Sequence, residues 1–349
     1  MNNIKDLLTD LSEQVSDLHL SPGCPVMLRE SGELRALGEE RISAKETEEL
    51  LQNVFSEEQR KQYEEEGELS VVTEFENSGR LRVSAYRTDA GTAISLRTFF
   101  KEVPSPEDLR VPGAVKKLLR ETAGLFIVSG RAGSGRTTTT AALLSELNNN
   151  ETRHIISLTE YTEYRLINGR SLLNSRPGKR DSEELKKELK RALKADADVI
   201  VLGELSEPEL LLAVMDAAQA GALVIFSMDT PATVPTLKRM IDLFAPEVQP
   251  MIRERLSELL LGILSQTLIP TQDGGRGAAY ECLIMDQAIR NLIRESRYMQ
   301  ISAIMQTDRR LGMITMDDFL FEMVLMKRIT KETALKFCSD KSALSQRLG

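Results

Sequence analysis

The stretch Leu125-Phe-Ile-Val-Ser129, followed by Gly130-Arg-Ala-Gly-Ser-Gly-Arg-Thr137, decides how most of this chain folds. The apolar run is typical of a strand buried on both faces, and the glycine-rich turn after it leads into a predicted helix over 138–147. The turn has the spacing GxxxxGK[ST], in which backbone N–H groups surround phosphate, but Arg136 stands where lysine belongs. We therefore predict a phosphate-binding loop with one altered side chain.

The loop residues have different predicted tasks. The glycines let the backbone curl around phosphate, and the helix below presents its positive end. Thr137 is the predicted Mg²⁺ ligand, and Arg136 is predicted to contact the outer phosphates with a planar fork instead of a compact charge. The predicted nucleotide-binding residues of the loop are Gly130, Gly133, Ser134, Gly135, Arg136, Thr137 and Thr138. The alternative is a glycine-rich turn that binds no ligand.

A second strand supports the ligand-binding interpretation. Asp198-Val-Ile-Val-Leu-Gly-Glu204 is an apolar run that ends in a carboxylate. Parallel sheets bind ligands at the carboxyl ends of their strands, so Glu204 is placed to orient or deprotonate an attacking water. The alternative is a surface glutamate with no such role.

The chain of 349 residues is long enough for two domains. Beyond the three prolines of 104–112, short apolar runs alternate with helical segments, which predicts a mainly parallel sheet with crossover helices. The predicted strands are Leu125–Ser129, Ile155–Leu158, Val199–Leu202, Leu223–Met228 and Ala278–Ile284, and the predicted helices are Thr138–Leu147, Ser182–Leu193 and Pro208–Ala220.

The first hundred residues have a different pattern. Val71–Glu74, Arg80–Tyr86 and Ala93–Arg97 alternate apolar and polar residues, as half-buried strands do, and Ala44–Glu66 is predicted as one charged helix. We therefore predict an N-terminal domain over 1–102, a linker over 103–113 and a second domain over 114–349.

Composition excludes several classes of protein. The formal charge of −8 argues against a nucleic-acid partner, and no apolar run reaches the roughly 18 residues that span a bilayer. Three scattered cysteines and the lack of a leader sequence favour a reduced, cytoplasmic location.

Several short motifs resemble those of one family, the secretion-type ATPases, and within that family those of the PilT/PilU type. The most specific is Ala288-Ile-Arg-Asn-Leu-Ile-Arg-Glu295, and it follows Leu256-Ser-Glu258 and Ser265-Gln-Thr-Leu268. Ser16-Asp-Leu-His-Leu20 and Gly79-Arg-Leu-Arg-Val83 are similar to the family's N-terminal strands.

The resemblance implies an α/β fold with a PAS-like N-terminal domain and a RecA-like P-loop ATPase domain. It implies ATP and Mg²⁺ as ligands, Arg82, Arg87 and Arg97 as phosphate contacts, and retraction of type IV pili in twitching motility as the function. It also implies a homo-hexamer or a mixed ring with a related ATPase. That ring would dock on an inner-membrane pilus platform protein, peripheral to the cytoplasmic membrane and without lipid insertion.

The chain departs from the family at residues near the nucleotide. Where the family's acidic box reads like IEDPIE, this chain has Thr159, Glu160 and Glu163 at the acidic positions, and Asp229 replaces the histidine of a box like TLHTT. A carboxylate near phosphate is repulsive unless a cation offsets it. By this correspondence the candidate catalytic residues are Glu204, Glu163, Glu160 and Asp229.

Two functional hypotheses remain open at this stage. The chain is either an active retraction motor with altered residues, or a pseudo-ATPase that serves the pilus motor as a structural or regulatory subunit. An extension or secretion ATPase of the wider superfamily is less favoured, because we expect those chains to have a longer N-terminal region and a tetracysteine element.

Overall fold

The protein is described here by a computed structural model that covers residues 15–30, 32–75, 79–99, 102–159, 163–176 and 181–349. Its residues fall into two compact units. The described residues up to Val103, together with 163–165, form the first unit, and 104–159 with 166–349 form the second. The boundary by contacts lies between Val103 and Pro104, while the linker over 103–113 stays a prediction.

The first unit is a six-stranded antiparallel sheet with two helices, in the strand order β3-β2-β1-β6-β5-β4. Helices α1 and α2 lie against β6 and β4, and together they enclose an aliphatic core. The elements are β1 (Val15–Leu20), β2 (Pro25–Glu30), β3 (Glu33–Arg41), α1 (Ala44–Val54), α2 (Glu57–Glu66), β4 (Glu68–Phe75), β5 (Gly79–Thr88) and β6 (Gly91–Thr98).

The prediction of one helix over Ala44–Glu66 was wrong, because the segment forms two helices. Ser56 accepts a hydrogen bond from the backbone N–H of Gln59, and the Gln59 side chain accepts one from the N–H of Ser56. This reciprocal capping box starts a new helix immediately after the first has ended.

The second unit contains a seven-stranded sheet in the order β13-β12-β7-β11-β10-β8-β9, parallel except for β13. Its strands are β7 (Gly124–Ser129), β8 (His154–Leu158), β9 (Leu172–Ser175), β10 (Val199–Glu204), β11 (Leu223–Met228), β12 (Leu260–Pro270) and β13 (Arg276–Ile284). The central strands are almost wholly buried. The predicted α/β class with a mainly parallel sheet is confirmed.

Helices connect and flank these strands. They are α3 (Ala114–Leu118), α4 (Arg136–Asn150), α5 (Ser182–Lys194), α6 (Pro208–Gln219), α7 (Thr233–Asp242), α8 (Gln249–Leu259), α9 (Gln287–Arg294), α10 (Ile301–Thr307), α11 (Met316–Leu325), α12 (Lys331–Phe337) and α13 (Lys341–Leu348). Among the described helices, none combines the length and the apolar character needed to cross a bilayer.

Candidate functional site

The predicted phosphate loop joins the end of β7 to the start of α4. Gly130, Gly133 and Gly135 have φ angles of +152°, +78° and +88°, a region that glycine adopts without steric cost. A Cβ atom on Gly130 would lie 2.4 Å from both the Ser134 Oγ and the Gln266 backbone oxygen. Glycine is therefore required at Gly130 by packing as well as by backbone conformation.

The loop presents the N-terminus of α4, which suits an anion. Gly135 is the N-cap residue of this helix, and no side chain caps the first-turn N–H groups. These donors and the helix dipole attract phosphate. The Ser134 Oγ is buried and lacks a hydrogen-bond partner within the described part of the chain. Backbone and side-chain donors here fit the phosphates of a nucleotide.

Arg136 turns toward Glu204 from the first turn of α4. Its Nη2 lies 3.0 Å from the Glu204 Oε2, so the two residues form an ion pair. Its Nη1 is buried and has no hydrogen-bond partner among the residues that the structure covers. Arg136, which is expected to contact phosphate, is therefore bound to Glu204, which is expected to act on water.

Three strand ends converge beside this pair. Glu204 ends β10 and is in register with Ser227 of β11, while Met228 of β11 is in register with Ser129 at the end of β7. Asp229 follows β11 directly and is exposed, as are Glu204 and Thr137. The sheet therefore brings the loop, Glu204 and Asp229 to one edge, the edge at which parallel α/β sheets bind their ligands.

The acidic box is divided between the two units. Thr159 follows β8 in the second unit, Glu160 lies outside the described residues, and Glu163 groups with the first unit. Glu163 accepts a hydrogen bond of 3.3 Å from the Arg82 Nη1 and is largely buried. The structure therefore places Glu163 beside one of the predicted phosphate-binding arginines.

Two of the three N-terminal arginines lie together. Arg82 of β5 and Arg97 of β6 are cross-strand partners, and the Arg97 Nε donates to the Asp17 Oδ1 at 2.7 Å. Burial alone would raise the pKa of the Asp17 carboxyl, but the hydrogen bond and charge of Arg97 hold it below its ordinary value. Asp17 was missed in the sequence because a lone aspartate on a strand gives no signal of its partner.

Arg87 is separate from the other two arginines. It lies five residues along β5 from Arg82, and successive strand residues face opposite sides of a sheet. Its Nη2 donates to the Glu64 backbone oxygen at 2.7 Å, and its guanidinium carbon lies 5.8 Å from the centre of the Tyr63 ring. These contacts attach Arg87 to α2.

The two arginines of the 288–295 motif join helix α9 to helix α8. The Arg290 Nη1 donates to the backbone oxygens of Ser257 and Glu258 at the C-terminal end of α8. The Arg294 Nε lies 3.1 Å from a carboxylate oxygen of Glu254 on the same helix. Both side chains therefore stabilise the α8–α9 contact, and α8 leads directly into β12.

The arrangement of the parallel sheet, with a glycine loop between its central strand β7 and helix α4, places the second unit in the P-loop class of α/β proteins. Residues 3–286 match the family described as type II/IV secretion system protein. The chain belongs to this family.

Two relatives and one solved structure are similar to this chain over nearly its whole length. The type IV pilus retraction ATPase PilT of Pseudomonas aeruginosa is 35% identical, over 95% of this chain and 97% of that protein. The twitching motility protein of Neisseria gonorrhoeae is 34% identical, over 92% of this chain and 86% of its own length. A crystal structure of the pilus retraction motor PilT with bound ADP superposes with a TM-score of 0.84 at 32% identity, covering 98% of this chain and 99% of that one. The PilT/PilU-type resemblance is confirmed.

Proposed function

We propose that this chain is a subunit of a type IV pilus retraction motor that binds ATP at Gly130–Thr137 and hydrolyses it slowly. Similarity to pilus retraction proteins over nearly the whole chain supports the motor role. The ion pair between Arg136 and Glu204 is the observation that supports slow turnover.

The pair has two consequences for chemistry. The Glu204 Oε2 that is bound to the Arg136 guanidinium is not available to accept a hydrogen bond from water, so only Oε1 remains to orient it. The Arg136 Nη2 must in turn leave Glu204 before both terminal nitrogens of the guanidinium can contact phosphate. Because Glu204 is half exposed, separation costs only on the order of 1 kcal/mol, so turnover is slowed and not abolished.

The remaining residues have proposed tasks around the nucleotide. Backbone N–H groups of the loop hold the phosphates, and Thr137 provides a hydroxyl ligand for Mg²⁺, which neutralises phosphate charge when bound. Asp229 lies at the same edge, where a carboxylate either helps to hold the metal ion or repels phosphate. Glu163 and Glu160 are proposed to complete the acidic box.

The N-terminal arginines remain proposed phosphate contacts. Arg82 and Arg97 are each bound to a carboxylate, and Arg87 is bound to a backbone oxygen. A guanidinium has five N–H donors, so it can bind more than one acceptor at a time. A phosphate would then bind as a further acceptor while the existing pairs stay in place.

We also propose the assembly and location that the family membership suggests. The subunit forms a hexamer, alone or mixed with a related ATPase, and docks on an inner-membrane platform protein at the cytoplasmic face. P-loop motors of this kind bind nucleotide where subunits meet, which is consistent with the exposed strand edge that holds Glu204 and Asp229.

ATP turnover of the purified protein tests this proposal. We expect slow hydrolysis that rises at least roughly tenfold in Arg136→Lys, because lysine contacts phosphate as a compact charge and pairs less rigidly with Glu204. Arg131→Lys is the matched control, since it makes the same change at an exposed position in the same loop. Brisk hydrolysis by the natural protein would contradict the proposal.

The pseudo-ATPase is the second candidate, and Asp229 favours it. Its exposed carboxylate adds negative charge at the edge where phosphates would bind. If neither the natural protein nor Arg136→Lys hydrolyses ATP while both assemble with a related ATPase, the chain has a structural or regulatory role.

A further inference from the structure

Gln266 of β12 contacts the phosphate loop in two ways. Its side chain is buried, and the Nε2 donates to the Ser134 backbone oxygen at 2.7 Å. Its own backbone oxygen is the atom that a Cβ on Gly130 would approach to 2.4 Å. Gln266 therefore touches the loop near its beginning and near its middle, although it lies more than a hundred residues away in sequence.

Four buried hydroxyl groups form a chain beneath the same loop. Thr230 and Thr236 are 2.6 Å apart between their Oγ1 atoms, and the Thr236 Oγ1 lies 3.0 Å from the Ser129 Oγ. The Ser129 Oγ is hydrogen-bonded to the Ser265 Oγ. Three hydrogen bonds among four hydroxyls use three protons, and the Thr236 Oγ1 also lies 2.7 Å from the Ala232 backbone oxygen, which can accept the fourth.

Three members of the hydroxyl chain are sequence neighbours of the loop, of Gln266 or of Asp229. Ser129 immediately precedes Gly130, Ser265 immediately precedes Gln266, and Thr230 immediately follows Asp229. The hydrogen bonds therefore join the end of β7 and the segment just after β11 to the middle of β12. Replacing Thr236 with an apolar side chain would leave the Thr230 hydroxyl without its partner, and replacing Ser129 would do the same to Ser265.

The loop needs support of this kind. Its three glycines have positive φ angles, and glycine loses more conformational freedom on folding than any other residue. The Gln266 Oε1 is buried without a hydrogen-bond partner among the described residues, so the hold of this side chain on the loop depends on its Nε2 bond.

We propose that Gln266 and the hydroxyl chain of Ser129, Thr230, Thr236 and Ser265 are positioning residues that hold the loop in its phosphate-binding shape before nucleotide arrives. The inference rests on the proposed function only for the identity of the ligand. The shape of the loop itself can be measured without any ligand.

Hydrogen exchange of the nucleotide-free, full-length protein is the test. In Gln266→Met, which keeps the size of the side chain but removes its donor, amides of 130–135 should exchange at least about fivefold faster. Asn148→Leu is the matched control, because it deletes a buried amide whose Nδ2 donates to the Ile167 oxygen at 2.7 Å, at the far end of α4. The control should lose comparable stability and leave loop exchange unchanged.

Two further variants separate positioning from general destabilisation. Thr236→Val should accelerate exchange at 129–131, and Thr236→Ser, which keeps the hydroxyl, should restore the natural rate. Equal loop exchange in Gln266→Met and Asn148→Leu, or no rescue by Thr236→Ser, would overturn the inference. Faster loop exchange in a protein that does not bind ADP at millimolar concentration would support the inference and contradict the proposed function.

Discussion

The two compact units each contain an arginine–carboxylate pair, and the pairs bury opposite partners. In the first unit the Asp17 side chain is 7% exposed and Arg97 is 43% exposed. In the second unit Arg136 is 13% exposed and Glu204 is 50% exposed. The N···O distances are similar, at 2.7 and 3.0 Å, so the two pairs differ in burial and not in geometry.

The difference indicates which pair can separate. A buried carboxylate that loses its partner has no water to replace it, which makes the Asp17–Arg97 pair a fixed part of the first sheet. A half-exposed carboxylate is solvated as soon as the arginine leaves, so the Glu204–Arg136 pair can open when phosphate competes for the guanidinium. We therefore interpret the first pair as structural and the second as a reversible contact.

The largest stability effect is expected at the structural pair. Asp17→Asn should lower the free energy of unfolding of the first unit by about 2 kcal/mol, because a charged, buried hydrogen bond to Arg97 is lost. Urea unfolding followed by circular dichroism, with hydrogen exchange of β1 and β6, measures the loss. Asp89→Asn, at an exposed turn, is the control. If Asp17→Asn and Asp89→Asn had equal free energies of unfolding, the Asp17–Arg97 pair would not be structural.

Lowering the pH should reduce the stabilisation that the Asp17–Arg97 pair provides. The pKa of Asp17 is below its ordinary value of 3.8 in the folded protein, so its stabilising contribution is complete above that value. The contribution is lost as the pH falls through the lower, folded-state pKa. The difference in unfolding free energy between natural protein and Asp17→Asn should therefore be constant from pH 6 to 7 and shrink below pH 3.8. A difference that grows in acid would contradict the assigned pair.

The smallest stability effect is expected at the reversible pair. Glu204→Gln should change the unfolding free energy by less than about 1 kcal/mol, since the Glu204 carboxylate is half exposed and the glutamine amide oxygen can still accept a hydrogen bond from Arg136. The same urea experiment measures this, with Glu209→Gln on an exposed position of α6 as control. A loss as large as that of Asp17→Asn would show that the Glu204–Arg136 pair is also structural.

The sequence predicts some of these features and not others. The strand β11 matches its predicted bounds because its apolar run is continuous and buried on both faces. Strand β12 was missed, because Ser265, Gln266 and Thr267 interrupt its apolar pattern. Ser265 and Gln266 are buried and are hydrogen-bonded to Ser129 and to the loop, and this burial cannot be inferred from a local pattern.

The partners of the site residues were equally hard to predict. Glycine spacing alone indicates the loop, because the backbone there needs positive φ angles. Arg136 and Glu204 are 68 residues apart, and only the strand order brings the end of β10 close to the start of α4. Similarly, strand alternation separates Arg87 from Arg82, but the Asp17 and Glu163 partners depend on tertiary contacts.

The affinity of the full-length protein for ATP, compared between the natural chain and Glu204→Gln, tests the central claim most directly. If the Arg136 Nη2 must leave Glu204 to reach phosphate, removing the carboxylate charge should tighten ATP binding about two- to fivefold, the equivalent of a partly solvated ion pair. Isothermal titration calorimetry with Mg²⁺ present measures the change. Unchanged or weaker binding by Glu204→Gln would contradict the account.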